Sequence, residues 1–153
     1  MISWQWNTFD ELGPHDLYQV LALRQRVFVI EQQCIYPDLD GHDQQAMHLL
    51  GWQTADGRLA AYLRVLAPGA KYVEMSLGRV LTAPEARSSG AGKQLLLEGI
   101  ARAECQHPGH AIRIGAQHYL ERFYQSFGFV TVSAPYDEDG IQHVDMLRAE
   151  QPA

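Results

Sequence analysis

The chain has 153 residues, 46% of them apolar and 20% charged, with a formal net charge of −6. That length can bury a sizeable core in one domain, the composition is that of a globular chain, and the negative charge disfavours nucleic acid or an anionic membrane surface as main partner. No apolar run reaches membrane-span length, the N-terminus lacks a signal peptide's basic flank and apolar core, and Cys34 and Cys105 give no disulfide framework, so the reading is a reduced, cytoplasmic protein.

Ile2 to Phe9, with tryptophans at 4 and 6, reads as a strand, and Gly13-Pro14 breaks it. Asp16 and Gln19 have capping-box spacing. Leu17, Val20, Leu21, Val27 and Phe28 then share a helical face, so a helix is expected as far as the neighbourhood of Glu31. Cys34 to Gln45 is polar and acidic and reads as a loop. His48 to Thr54 and Leu59 to Leu66 flank Asp56-Gly57 and predict a hairpin, with Leu59, Ala61, Leu63 and Val65 on one face. Tyr72 to Thr82 reads as a third strand of this meander.

After Gly92, apolar residues at 96, 97, 100, 101 and 103 predict a helix of about four turns, stopped by His107-Pro108-Gly109. Ala111 to Ala116 reads as a strand. Leu120, Phe123, Tyr124 and Phe127 have helical spacing, and Gly128 ends that helix. Phe129 to Val132 and Gln142 to Arg148 read as strands around an acidic turn, Asp137 to Gly140. The order β-α-β-β-β-α-β-α-β-β predicts an α+β fold: a mixed, mostly antiparallel central sheet flanked by helices, in one domain spanning 1–153.

The segment between Pro84 and Leu96, PEARSSGAGKQLL, places two glycines, two serines and an arginine between a strand and a helix. Glycine is used where the backbone approaches something closely or takes unusual dihedrals. A nucleotide phosphate, a coenzyme pyrophosphate and no ligand at all are the competing explanations. A P-loop needs glycine at 87 and Ser or Thr at 94, where this chain has Arg87 and Gln94. The dinucleotide fingerprint needs a third glycine at 95, which is Leu95, and a parallel βαβ unit, whereas an antiparallel meander precedes this loop.

Arg87-Ser88-Ser89-Gly90-Ala91-Gly92 resembles the Arg/Gln-x-x-Gly-x-Gly/Ala signature of the GNAT superfamily of acetyl-CoA-dependent N-acetyltransferases. A helix opened by such a loop offers unpaired amides and the positive end of its dipole to an anion, here the pyrophosphate of coenzyme A, with Arg87 or Lys93 adding charge. GRVLTAPEA, 78–86, is similar to the strand and proline preceding this loop in the superfamily. The resemblance implies that Val80, Leu81 and Thr82 offer free backbone groups to the acetyl carbonyl and pantetheine. AQHYLERFYQSFGF, 116–129, resembles the other coenzyme signature: Tyr124 matches the general acid, and Gln117 stands where Asn is commoner. Segments 24–43 and 136–146 look like the ElaA-like subgroup, so the resemblance covers most of the chain.

The resemblance implies an acetyl-CoA-dependent N-acetyltransferase that uses no metal. A primary amine would attack the thioester directly in a ternary complex, the backbone near Leu81 would stabilise the oxyanion, and Tyr124 would protonate the thiolate. Glu31, Glu74, His118 and His143 are the chemically suitable bases. Glu31 is favoured because the first helix and its loop line the acceptor cleft in this superfamily. The acceptor is expected to be a small-molecule or peptide amine, with no nucleic acid or membrane partner; a homodimer is compatible with this reading. Asp38, Asp40 and Asp43, with Asp137, Glu138 and Asp139, are expected to draw a cationic amine if their loops rim the cleft. The alternative is a non-catalytic acyl-CoA-binding sensor or interaction module on the same fold. Asp38 to Asp43 lacks calcium-loop spacing, and Cys105, His107 and His110 fall in a turn poorly suited to zinc.

Overall fold

The computed structural model describes residues 1–152. Strands β1 (Ile2–Thr8), β2 (Met47–Gln53), β3 (Leu59–Leu66) and β4 (Ser76–Thr82) form an antiparallel sheet in that order. Strand β5 (Ile112–Gln117) pairs with β8 (Ile141–Arg148), whose other edge is shared by two short strands, β6 (Val130–Thr131) and β7 (Tyr136–Glu138). The expected central sheet is therefore two sheets. They join at one parallel bridge, Met75 to Ile112, where the Arg113 amide donates to the Met75 carbonyl at 2.8 Å.

Helix α1 spans Pro14–Arg24, α2 Ala91–Gln106 and α3 Glu121–Gln125. The predicted capping box at Asp16 is corrected. Gly13 is the N-cap and Pro14 opens the helix, where its fixed φ and missing N–H cost least. Asp16 instead accepts from Gln5 at 3.2 Å. After Arg24 the chain widens into a π-helical segment, Gln25–Glu31, so the helical path does reach Glu31.

Strand β3 is buried along its whole length. Ala61, Leu63 and Val65 face α2 in the main core, while Tyr62 packs with Val20 and Leu23 of α1 in a second core. Leu59, expected beside Ala61, belongs to that second core. A bulge between Gly51 and Trp52 shifts the register by one residue, and one residue turns a side chain to the opposite face. Helix α2 crosses β3 at Gly99, where a Cβ would lie 2.5 Å from Leu63 Cδ2.

Three other boundaries differ from expectation. Regular pairing in β4 starts at Ser76, because residues 71–74 bend before the bridge at Met75. The helix carrying Tyr124 begins as a 3-10 turn, His118–Leu120, which leaves α3 short. The acidic turn belongs to a β7–β8 hairpin, with Tyr136 opposite His143.

Candidate active site

Beyond the Met75 bridge, β4 and β5 have no strand between them, so their facing backbone edges are unpaired. The gap widens into a cleft of about 730 Å³. An extended chain entering it finds backbone donors and acceptors on both sides, as an added strand would. In β4, Gly78 pairs with Arg64 and Leu81 with Tyr62, so Arg79 and Val80 together oppose Leu63. Arg79 takes up the extra residue at φ 51°, a left-handed conformation unusual for a side chain of its size. The bulge interrupts pairing with β3 within the cleft wall.

The next turn carries the glycine-rich loop. Gly90 caps α2 at φ 84°, with nothing within 4 Å of a Cβ placed there. Ser88 is also left-handed, at 68°, and the Ser89 hydroxyl donates to the Ala86 carbonyl. No side chain caps α2, so its first amides point into open space. The sixteen-residue helix adds its dipole there. Val80, Leu81, Thr82, Arg87, Gly92, Gln117 and Tyr124 line the cleft. Ser88, Ser89, Gly90, Ala91 and Lys93 form the loop and first turn beside it, and Ala91 is buried.

Tyr124 is 6% exposed, and its ring meets Phe123 and Phe129 edge-on at 5.4 and 5.9 Å between centroids. Its hydroxyl has no hydrogen-bond partner among the described residues, although the residue lines the cleft. Burial, reinforced by Tyr119, holds the phenol above its usual pKa, so it remains a proton carrier at neutral pH. Gln117 ends β5 and donates to Gln32 of the loop after the π-helical segment at 3.3 Å.

The acidic loop does not present three free carboxylates. Arg24 of α1 donates to Asp38 at 2.9 Å and Asp43 at 2.8 Å. Arg64 of β3 donates to Asp40 and Asp43, and Arg79 lies 2.8 Å from Asp38 and 3.3 Å from Asp40. Burial alone would raise the Asp40 and Asp43 carboxyl pKa values, but bonding and charge from these arginines hold both below the carboxylate range. The expectation that Asp38, Asp40 and Asp43 concentrate a cation is thereby corrected: three arginines offset three aspartates.

Glu31 lines the cleft but accepts from Arg87 at 2.7 Å. Its charge is directed to the arginine of the glycine-rich loop, so the side chain expected to act as base is engaged in an ion pair. Arg26 and Glu85 make a second tie between the same segments at 2.8 Å. Of the other bases considered, Glu74 and His118 do not line the cleft, while His143 does. His143 stacks on Tyr136 and faces Glu138. Cys34 lies in the loop as a free thiol and is buried, donating to the Asp139 carbonyl at 3.1 Å. Sequence patterning did not bring out Arg79 or the Arg24–Asp43–Arg64 cluster; these contacts join residues up to 41 positions apart.

A family model described as acetyltransferase (GNAT) domain matches residues 18–149. A UPF0039 protein of Synechocystis sp. is 42% identical over 146 residues, covering 95% of this chain and 94% of that one. ElaA of Escherichia coli is 39% identical over 150 residues, 97% of each chain. Its crystal structure superposes with a TM-score of 0.90, covering 97% of this chain and 99% of that one. A Pseudomonas aeruginosa acyl-CoA N-acyltransferase structure, 37% identical, gives 0.92 over 97% of this chain and all of that one. Family model, full-length relatives and fold agree: the chain belongs to the GNAT acetyltransferase family and is similar throughout to ElaA.

Proposed function

We propose that the protein is an acetyl-CoA-dependent N-acetyltransferase acting on a primary amine, with the whole chain serving as one catalytic domain. What supports this reading above all is the unpaired gap between β4 and β5, which runs from the glycine-rich start of α2 to the Tyr124 side chain. The pyrophosphate lies over Ser88 to Lys93 with Arg87 adding charge, and pantetheine extends along Val80, Leu81 and Thr82 with Gln117 opposite. The amine attacks the thioester carbon, and β4 backbone N–H groups receive the developing oxyanion. The thiolate leaves toward Tyr124, which donates its proton. This chemistry uses no metal and no covalent enzyme intermediate.

The deciding experiment measures acetyl-CoA affinity by calorimetry and thiol release with polyamines, amino acids, aminoglycosides and peptide N-termini. Binding with amine-dependent thiol release is the expected result. Binding with no release for any amine would favour an acyl-CoA sensor, and absence of binding would remove both readings.

A further inference from the structure

The sheet formed by β5 and β8 presents two chemically different faces. Ile114, Ala116, Val144 and Met146 pack with Tyr124 in the main core. Alternation turns Gln117 and His143, which sit opposite each other, to the other face with the pair Gly115 and Asp145. Tyr124 and His143 both line the cleft. They therefore approach it from opposite faces of one sheet, which lets one reach a leaving sulfur and the other an attacking amine without competing for space.

The contacts of His143 define its chemistry. Nδ1 lies 2.7 Å from the Ile141 carbonyl oxygen. A carbonyl only accepts, which assigns a hydrogen to Nδ1, so that whenever the ring is neutral the lone pair lies on Nε2. Nε2 faces Glu138 Oε2 at 3.4 Å. A lone pair and a carboxylate oxygen do not attract each other, but an N–H donor between them satisfies both. A protonated alkylamine carries three such hydrogens. The Tyr136 ring stacks on the imidazole, 6.0 Å between centroids and 27° apart, and fixes its plane.

The surrounding charges leave Glu138 available. Asp145, on the same strand and face, is taken by Arg113 at 2.8 Å and Tyr136 at 2.6 Å. Asp137 accepts from the Gly140 amide; the main-chain carbonyl of Asp139 receives the Cys34 thiol, while its carboxylate, on the next residue, adds negative charge beside Glu138. Gln117 of β5 is neutral and turned to Gln32. Glu138 is 50% exposed, with no Lys or Arg partner among the described residues.

We propose that Glu138 and His143 form the acceptor subsite, in which the carboxylate holds an alkylammonium ion and His143 Nε2 removes its proton. The proposal rests on the acetyltransferase reading and narrows its acceptor to primary alkylamines that are cationic in water. The ammonium gives one proton to Nε2, and the freed lone pair forms the C–N bond as the carbonyl electrons move to oxygen. Collapse breaks the C–S bond, and the thiolate takes the Tyr124 proton. The new amide nitrogen returns a proton to the phenolate, directly or through water. The imidazolium releases its proton to solvent, the one net proton produced.

The test uses the full chain and n-butylamine as probe. In isotope-labelled protein loaded with coenzyme A, n-butylammonium at neutral pH should shift the His143 ring nitrogens saturably, and Glu138→Gln should abolish the shift. With acetyl-CoA, His143→Gln should lower kcat for n-butylamine about a hundredfold, recovering as the pH approaches the pKa of the amine. Glu138→Gln should raise KM far more than it lowers kcat. Ring nitrogens that do not respond, or a His143→Gln pH profile parallel to wild type, would overturn the subsite. A saturable shift without thiol release would overturn His143 as the base. Retained acetyl-CoA binding with no ring response removes only this subsite, whereas a wild-type chain that binds no acetyl-CoA removes the acetyltransferase reading itself.

Discussion

Tyr124→Phe separates chemistry from packing because the tyrosine hydroxyl has no hydrogen-bond partner among the described residues. Its ring contributes edge contacts to Phe123 and Phe129, and a phenyl ring preserves both. Folding therefore loses no protein hydrogen bond, and Tm should stay level or rise slightly. Acetyl-CoA affinity should barely move, since the hydroxyl meets a thiolate only as the C–S bond breaks. A reference phenol titrates near 10 and a reference thiol near 8.5, so transfer to the thiolate is uphill in water. Burial raises the Tyr124 pKa further, and a thiolate formed in the same cleft is also poorly solvated and becomes more basic. The two shifts act in opposite directions on the transfer. Loss of the donor should reduce kcat about a hundredfold, roughly 2.7 kcal/mol of transition-state stabilisation. Calorimetry of acetyl-CoA and thiol release on one preparation measure both quantities. Wild-type kcat in Tyr124→Phe, with thiol release confirmed as the monitored step, would remove the hydroxyl from the mechanism.

The proposed coenzyme loop is better tested at Gly92 than at Gly90, whose φ of 84° would strain any larger residue. At Gly92 a Cβ meets only Thr82 and Phe123, at 3.8 and 3.9 Å, so Gly92→Val should fold yet bind acetyl-CoA at least tenfold more weakly by calorimetry, as about 1.4 kcal/mol of lost contact implies; unchanged affinity would contradict the placement. Glu31→Gln should leave kcat near wild type and alter acetyl-CoA affinity no more than about fivefold, because exposed ion pairs such as that with Arg87 contribute at most ~1 kcal/mol; a kcat collapse would restore Glu31 as the base. Asp43→Asn should destabilise the fold by about 3–5 kcal/mol in denaturant melts by uncoupling Arg24 and Arg64. The pH dependence has a fixed sign: burial depresses the folded-state pKa of His48, and the arginines depress those of Asp40 and Asp43. Stability should therefore be lost as pH falls, first below about 6.5 through His48 and again below about 4 through the carboxylates; a Tm that rises on acidification would refute this.

The elements legible in the sequence were those whose signals are local. Asp56-Gly57 marked the β2–β3 hairpin, and the glycines before Leu95 marked the start of α2. The proposed site motifs were equally local in the sequence, since Arg87 to Gly90 is a continuous turn leading into α2 and Phe123-Tyr124 a helical pair. What escaped depended on partners distant in the chain. The bulge at Ala60 that reverses Leu59 depends on pairing with β2, and the division into two sheets depends on where Met75 meets Ile112. Asp38, Asp40 and Asp43 read as a charged surface because the three arginines that neutralise them come from α1, β3 and β4. Composition records the charges but not their pairing.

That pairing accounts for how an irregular loop can border a cleft with a fixed shape. Residues 34–46 contain only one short 3-10 turn, Asp43–Gln45, so backbone pairing does little to hold them. Guanidinium groups supply directional bonds instead, and Arg24 and Arg64 are almost fully buried when they do so. Stability alone is a poor explanation, because well-packed apolar residues often match or exceed a buried ion pair. Geometry is the better one. Arg79 occupies the left-handed position of the β4 bulge, a conformation that costs on the order of 1–2 kcal/mol without compensation. Its guanidinium donates to the Asp38 carbonyl at 2.8 Å, lies beside the Asp38 and Asp40 carboxylates, and rests over the Tyr36 ring. The same contacts thus offset the strain in β4 and fasten the loop across from it. In the proposed reaction that bulge lies within the donor strand and the loop borders the acceptor side. Donor and acceptor walls of the cleft are in this way set by one group of charges.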